Sequence, residues 1–269
     1  PTGAFKVRGG ITYMDSLQRH VPKCTGVITA TRGNHGQSVA FAARSAGMAS
    51  FVVVPHGNSR EKNKAMKAFG AELIEHGKDF DESLNFAKAQ AEERNLTFFP
   101  SFHSDLVVGV ATYMVELLAA VPDLDVIYVP IGLGSGICGV LSARDVLGSK
   151  ADVIGVVAEN APTYALSCEV GEPVATNSAD TFADGLAVRI PDPQALDAIL
   201  AGAVRVVTVS EREMKAAIRH YYTDTHNLVE GAGAASLAAV LKEKSLMARK
   251  KVGLVLSGGN IDRDLYMDI

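Results

Sequence analysis

The amino-acid sequence predicts an α/β protein with mostly parallel, open sheets and helices on both faces. Short β-branched runs alternate with longer helical stretches from Gly26 onward, the pattern of strands joined by crossover helices. One run, Asp125 to Ile131, is continuously apolar, as expected of a strand buried on both faces. Three strand ends lead into loops of unusual composition, and open α/β sheets bind ligands beyond the carboxyl ends of their strands.

In chain order, Gly26 to Ala30 reads as the first strand. It passes through Thr31-Arg32-Gly33-Asn34-His35-Gly36 into a helix on which Val39, Ala43 and Ala46 share a face. Phe51 to Val54 is a strand closed by Pro55, and Arg60 to Phe69 an amphipathic helix stopped by Gly70. A strand at Ala71 to Glu75, a helix at Asp79 to Arg94 and a strand at Leu96 to Phe99 follow. Asp105 to Val121 repeats Val108, Thr112, Val115 and Leu118 at helical intervals, and the apolar Asp125 to Ile131 strand comes next. Gly132-Leu133-Gly134-Ser135-Gly136 then opens a helix reaching Leu147. Val153 to Ala158 is a strand ending at Glu159, and Gly171 to Pro193 reads mostly as loop. Val204 to Val209 is a strand, and Ser210 with Glu213 three residues later forms a capping box for a helix running to about Tyr222. A helix from Glu230 to Lys244 and a strand from Val252 to Leu256 lead into Ser257-Gly258-Gly259-Asn260. No internal repeat and no low-complexity segment interrupts this order.

The 269 residues suffice for one large or two smaller domains, and 48% of them are hydrophobic. A net charge of −4 and a pI near 6.0 give no basic footprint for nucleic acid. Cys24, Cys138 and Cys168 are widely spaced and odd in number, which fits neither a disulfide framework nor a zinc site, so a reducing, cytoplasmic setting is expected. The apolar runs are too short or too often broken to span a bilayer, and no membrane association is expected. Pro1 opens inside a motif, so a further segment is expected ahead of it.

Four stretches carry candidate chemistry. Lys6, within Pro-Thr-Gly-Ala-Phe-Lys-Val-Arg-Gly-Gly, has Gly3 before it and Gly9 and Gly10 after it, so the backbone is expected to turn tightly there. A lysine amine forms a Schiff base with a carbonyl cofactor once its environment lowers its pKa; an isolated lysine is more often a solvated helix end. Gly132 to Gly136 alternates glycines between strand and helix and offers backbone N–H groups and a helix N-terminus to an anion such as a phosphate. It has neither a Walker ending nor the dinucleotide spacing. Asn34 can donate to an oxyanion through its amide, although Gly-Asn pairs are also ordinary turn chemistry. Ser257 ends a buried strand, where a serine is usually a satisfied polar terminus.

In order and spacing, PTGAFKVRGG, GNHGQSVAFAA, PIGLGSG, EGAGAASLAA and LSGGN resemble the pyridoxal-phosphate (PLP) enzymes of the tryptophan-synthase β-like fold, fold type II, in the threonine dehydratase and serine racemase branch. The resemblance implies that Lys6 carries PLP as a Schiff base and that Asn34 hydrogen-bonds its phenolic oxygen. It further implies that Gly132, Leu133, Gly134, Ser135 and Gly136 cradle its phosphate, that Ser257 faces its pyridine nitrogen, and that Thr31, Arg32, Gly33, Asn34 and His35 contact the substrate. A neutral hydroxyl at the ring nitrogen makes a weaker electron sink than a carboxylate would, which favours prompt loss of a β-substituent. The implied reaction is β-elimination of water from a 3-hydroxy-L-amino acid, L-threonine or L-serine, to a 2-oxo acid and ammonia, with Lys6 as catalytic base. Two domains are expected: a small mobile one at residues 26–102, inserted in a large PLP-binding one formed by 1–25 and 103–269, with PLP in the cleft between them. A homodimer or homotetramer is expected.

The chain departs from that pattern at two places. Arg32 stands where serine racemases carry a serine that reprotonates Cα, and a guanidinium cannot act as that base, so racemisation is disfavoured. Two readings of Arg32 stand: it pairs with a second substrate carboxylate, as a threo-3-hydroxyaspartate dehydratase would require, or it points into solvent. Glu159 stands where some relatives hold a cation, but Ala165 replaces the companion acidic residue. No divalent or monovalent cation is therefore assigned, Asp180 and Asp184 being the residues that could compensate. His35, Ser101 and Glu230 are candidate lining residues, and Tyr221 and Tyr222 read as core or interface. A β-replacing synthase and a non-catalytic amino-acid-binding relative are the remaining alternatives; intact Lys6 and Ser257 argue against the latter.

Overall fold

The β-branched runs form two four-stranded, all-parallel sheets in a computed structural model that describes residues 1–269. In chain order the elements are α1 (Lys6–His20), β1 (Gly26–Ala30), α2 (Asn34–Ser45), β2 (Ala49–Val54), α3 (Arg60–Ala68), β3 (Glu72–Glu75), α4 (Phe80–Glu93), β4 (Thr97–Phe98) and α5 (Ser104–Ala120). They continue with β5 (Val126–Pro130), α6 (Ser135–Val146), β6 (Asp152–Ala158), α7 (Thr163–Val170), a 3₁₀ turn (Asp184–Leu186), α8 (Pro193–Gly202), β7 (Arg205–Val209), α9 (Glu211–Thr225), α10 (Gly231–Lys242), β8 (Val252–Leu254) and α11 (Arg263–Met267). The chain forms two compact units, one of Pro1–Gly109 with Asn260–Tyr266, the other of Val110–Gly259 with Met267–Ile269.

The first unit holds the sheet β3-β2-β1-β4, with Gly26 opposite Ala49 and Ala30 opposite Val53. Side chains alternate across its strands, and each face has its own cover. Val27 packs with Met14 and Leu17 of α1, Val39 and Ala43 of α2, and Phe99, whereas its neighbour Ile28 packs with Val53 and with Ala87 and Ala91 of α4. Met66 of α3 joins Val52, Val54 and Ala40. The second unit holds β7-β6-β5-β8. Strand β5 is buried along its whole length, as its unbroken apolar run predicts, and Gly155 on β6 lets Ile131 lie across the strand: a Cβ there would come within 2.4 Å of Ile131 Cδ1.

Local signals explain most boundaries. The Ser210–Glu213 capping box is present, Asp79 caps α4, and Ser59 caps α3. The loop expected from Gly171 to Pro193 contains only the 3₁₀ turn, but α7 before it and α8 after it are helices the periodicity does not mark. Pro162 gives α7 no side-chain cap, while Asp192 with Pro193 at N1 is a readable start for α8. No helix is long and apolar enough to cross a membrane.

The N-terminal motif differs from the expected tight turn. Gly3 does turn, with φ +64, but Gly9 and Gly10 lie inside α1. Their role is close packing of helices: a Cβ on Gly10 would lie 2.1 Å from Ser38 Oγ, and that hydroxyl donates to the Lys6 carbonyl at 2.7 Å. Gly10→Ala is therefore expected to destabilise the protein by about 1–3 kcal/mol, the range for overpacking a filled contact, as read by denaturant unfolding.

His35, in the first turn of α2, is 7% exposed and meets the Phe99 ring edge-on. Burial first, and then the charge of Lys6, push its pKa from 6.5 down to about 3, against a raising hydrogen bond with the Phe99 backbone. The unfolded chain takes up a proton near pH 6.5 that the folded chain refuses until about 3. This residue's contribution to stability is thus intact above pH 6.5 and lost as pH falls through that window. Melting temperatures of wild type and His35→Gln should diverge in pH dependence below 6.5, with the shallower acid slope in the variant.

Candidate active site

Lys6 begins α1 after the turn at Gly3, with no side-chain cap from Phe5, and its amine lies 5.1 Å from the Phe5 ring centroid. The Ser38 hydroxyl on its carbonyl ties this first turn to α2. At the carboxyl end of β1, Thr31 is buried and its Oγ1 accepts from the Gly33 N–H at 2.9 Å and the Gly36 N–H at 3.3 Å. Thr31 therefore shapes the loop that presents Asn34. The Asn34 oxygen accepts from Asn260 Nδ2 at 2.8 Å, and the same Nδ2 donates to the Thr2 carbonyl at 2.7 Å. A carbonyl can only accept, so it sets the Asn260 amide, which in turn sets the Asn34 amide with its oxygen toward Asn260.

Two cations flank this loop. Arg32 is half-buried, and Lys62 of α3, only 6% exposed, runs under Gly33, where a Cβ would meet Lys62 Cδ at 2.5 Å. His35 stays neutral at working pH, so it supplies no third charge.

In the second unit, β5 runs into the glycine loop. Gly134 caps α6 in the left-handed region, φ +108, and a Cβ there would sit 2.4 Å from Ala195 Cβ; a Cβ on Gly132 would sit 2.2 Å from the Gly185 carbonyl. Tyr164, fully buried, donates to the Leu133 carbonyl at 2.9 Å and accepts from the Asp192 N–H at 3.0 Å. Burial pushes its pKa up, which keeps the hydroxyl a donor. The first backbone bond into α6 is Cys138 N–H to Gly134 carbonyl, so the N–H groups of Ser135, Gly136 and Ile137 end the helix without a backbone acceptor. Such an end attracts an anion. Ser257 follows β8, 6% exposed, and the backbone beside it is seated by Glu230, whose N–H donates to the Gly258 carbonyl at 3.1 Å. Gly233 permits this, since its Cβ would meet that carbonyl at 2.4 Å.

Taken singly, each of these residues has chemistry suited to one part of PLP: an amine, an amide whose oxygen faces Asn260, a glycine-built helix N-terminus and a buried hydroxyl. Lys6, Asn34, Thr31, Arg32, Gly33 and His35 lie in the first unit, Gly132 to Gly136 and Ser257 in the second. Glu159 is exposed at the end of β6. Sequence reasoning missed Tyr164, Lys62 and Asn260. Asn260 lies within the quoted LSGGN stretch, but its partner Thr2 is 258 residues away, and nothing local marks Tyr164 or Lys62.

The chain is similar to known proteins over nearly its whole length. An L-threonine ammonia-lyase of Geobacter sulfurreducens is 39% identical over 262 residues, covering 97% of this chain. The chain spans 65% of that relative's length. A threonine deaminase isoform 2 structure from Solanum lycopersicum superposes with a TM-score of 0.92 at 29% identity, covering 100% of this chain and 79% of that one. A PLP-dependent aspartate racemase structure superposes at 0.93 with 29% identity, covering 98% and 82%. Residues 1–258 match the family described as "Pyridoxal-phosphate dependent enzyme", and the chain belongs to it.

Proposed function

We propose that the protein is a PLP-dependent dehydratase that eliminates water from a 3-hydroxy-L-amino acid, L-threonine or L-serine, releasing a 2-oxo acid and ammonia. The observation that carries this reading is a buried hydroxyl, Ser257, rather than a carboxylate after β8, in a chain that keeps Lys6. Lys6 would hold PLP covalently, Asn34 would donate to its phenolic oxygen, the N–H groups of Gly132 to Gly136 would hold its phosphate, and Ser257 would face its ring nitrogen. When bound, PLP supplies an electron sink that makes the substrate Cα–H acidic. Ser257, a hydroxyl, would not favour a protonated ring nitrogen as a carboxylate would, and would so make the group a weaker electron sink. The Lys6 amine would accept the Cα proton as general base. In balance, the Cα proton and the β-hydroxyl would leave together as one water, and a second water would replace the nitrogen at Cα, releasing ammonia and the 2-oxo acid.

A second reading rests on Arg32 and Lys62. Two cationic side chains beside Gly33 suit a substrate with a second carboxylate, a threo-3-hydroxyaspartate.

A 2-oxo acid assay across L-threonine, L-serine, threo-3-hydroxyaspartate and phenylserine separates the two. The first reading expects turnover of threonine and serine, retained in Arg32→Ser. Turnover of the dicarboxylate alone, lost in Arg32→Ser, would establish the second. Lys6→Ala should lose the cofactor's near-visible band and at least about 10³-fold in rate, the order of magnitude lost with a general base. Survival of the band in that variant would overturn the role of Lys6.

A further inference from the structure

We infer that Asn260 is a positioning residue that acts through Asn34, holding its amide in the one orientation that points the NH₂ end away from Asn260 and toward the cofactor. The inference rests on the proposed contact of Asn34 with PLP. An asparagine amide has nearly the same shape in its two flips, and only its partners decide between them. Here the deciding partner is the Thr2 carbonyl, an acceptor in any protonation state, 2.7 Å from Asn260 Nδ2. Asn260 must then present nitrogen to Asn34 as well, 2.8 Å from its Oδ1, and Asn34 must present oxygen. The other flip of Asn34 would set its oxygen against the phenolic oxygen, acceptor against acceptor.

Asn260 is itself well held. Gly3, at φ +64, carries the Thr2 carbonyl to it, and any Cβ on Gly3 would come within 3.0 Å of Asn260 Oδ1. Two residues on, Asp262 Oδ1 accepts from Ser59 Oγ at 2.5 Å and from the Glu61 N–H at 3.3 Å, and the Arg263 N–H donates to Glu61 Oε1 at 3.1 Å. The segment after β8 is thereby fastened to the start of α3, and Asn260 is its first residue in this unit.

Replacing Asn260 by aspartate inverts the relay. A carboxylate repels the Thr2 carbonyl and draws the NH₂ end of Asn34 toward itself. The experiment is a double-mutant cycle of Asn260→Asp and Asn34→Ala, read by PLP titration of the apo protein and by the ratio of the long- to short-wavelength cofactor bands against pH, with circular dichroism as the check on folding. Asn260→Asp is expected to weaken PLP binding about tenfold, the value of one charge-assisted hydrogen bond, and to lower the band ratio. In the Asn34→Ala background it should do neither. Additive effects, or a lowered melting temperature with an unchanged band ratio, would overturn the inference and leave the cofactor site standing. No effect of Asn34→Ala would instead overturn the cofactor role of Asn34, and the inference with it. Should Asn260→Asp not fold, Asn260→Ala runs the same cycle with a smaller expected loss, because Asn34 then loses the Asn260 donor without facing a carboxylate.

Discussion

The hydrogen bond from the Ser38 hydroxyl to the Lys6 carbonyl is the contact on which the lysine's placement depends. It exists because Gly10 has no side chain: α1 and α2 approach so closely that even a methyl group would occupy the position of Ser38 Oγ. A lysine at a helix start is otherwise a mobile group on a long stem. With its turn joined to α2, Lys6 shares a rigid body with Asn34, the first residue of that helix. Gly3 adds the complementary constraint, because its left-handed turn sends the Thr2 carbonyl to Asn260 and lets α1 begin three residues later.

The second unit gathers its N–H groups at one helix start. Its glycine loop ends a buried parallel strand and starts a helix, so strand burial and helix dipole converge on one short segment. Two neighbours make the glycines necessary: the Gly185 carbonyl and the Ala195 methyl lie where side chains on Gly132 and Gly134 would otherwise be. Tyr164 also pins the Leu133 carbonyl, so the loop is held by a donor that burial keeps protonated. Preorganised N–H groups of this kind cost no rearrangement when the charge arrives.

Charge around the candidate site is distributed selectively. Burial, and then the charge of Lys6, hold the His35 pKa low, and its ring meets Phe99 edge-on. Arg32 and Lys62 remain as the cationic side chains beside Gly33, and Lys62 is unusual in being nearly buried along its stem. Ser257 offers a hydroxyl where a carboxylate would have added negative charge. The cationic side chains thus lie at one loop of the first unit, and the buried Ser257 lies in the other unit.

The sequence alone determined the parallel α/β class, most strand positions and the loops that carry Lys6, Asn34, the glycine run and Ser257. Those features are written in local periods and in glycines next to strand ends, and such signals need no partner to be read. It also held the start of α8, in Asp192 and Pro193, which the weak surrounding pattern masked. Only the tertiary structure decided that Gly10 is a helix contact rather than a turn, that Tyr164 braces the glycine loop, and that Asn260 sets Asn34. Each of these is a pairing between residues 28 to 258 positions apart, from Gly10 and Ser38 to Thr2 and Asn260. Hydrogen bonds and packing clashes act through space over a few ångströms, and the chain order of their partners leaves no periodic trace.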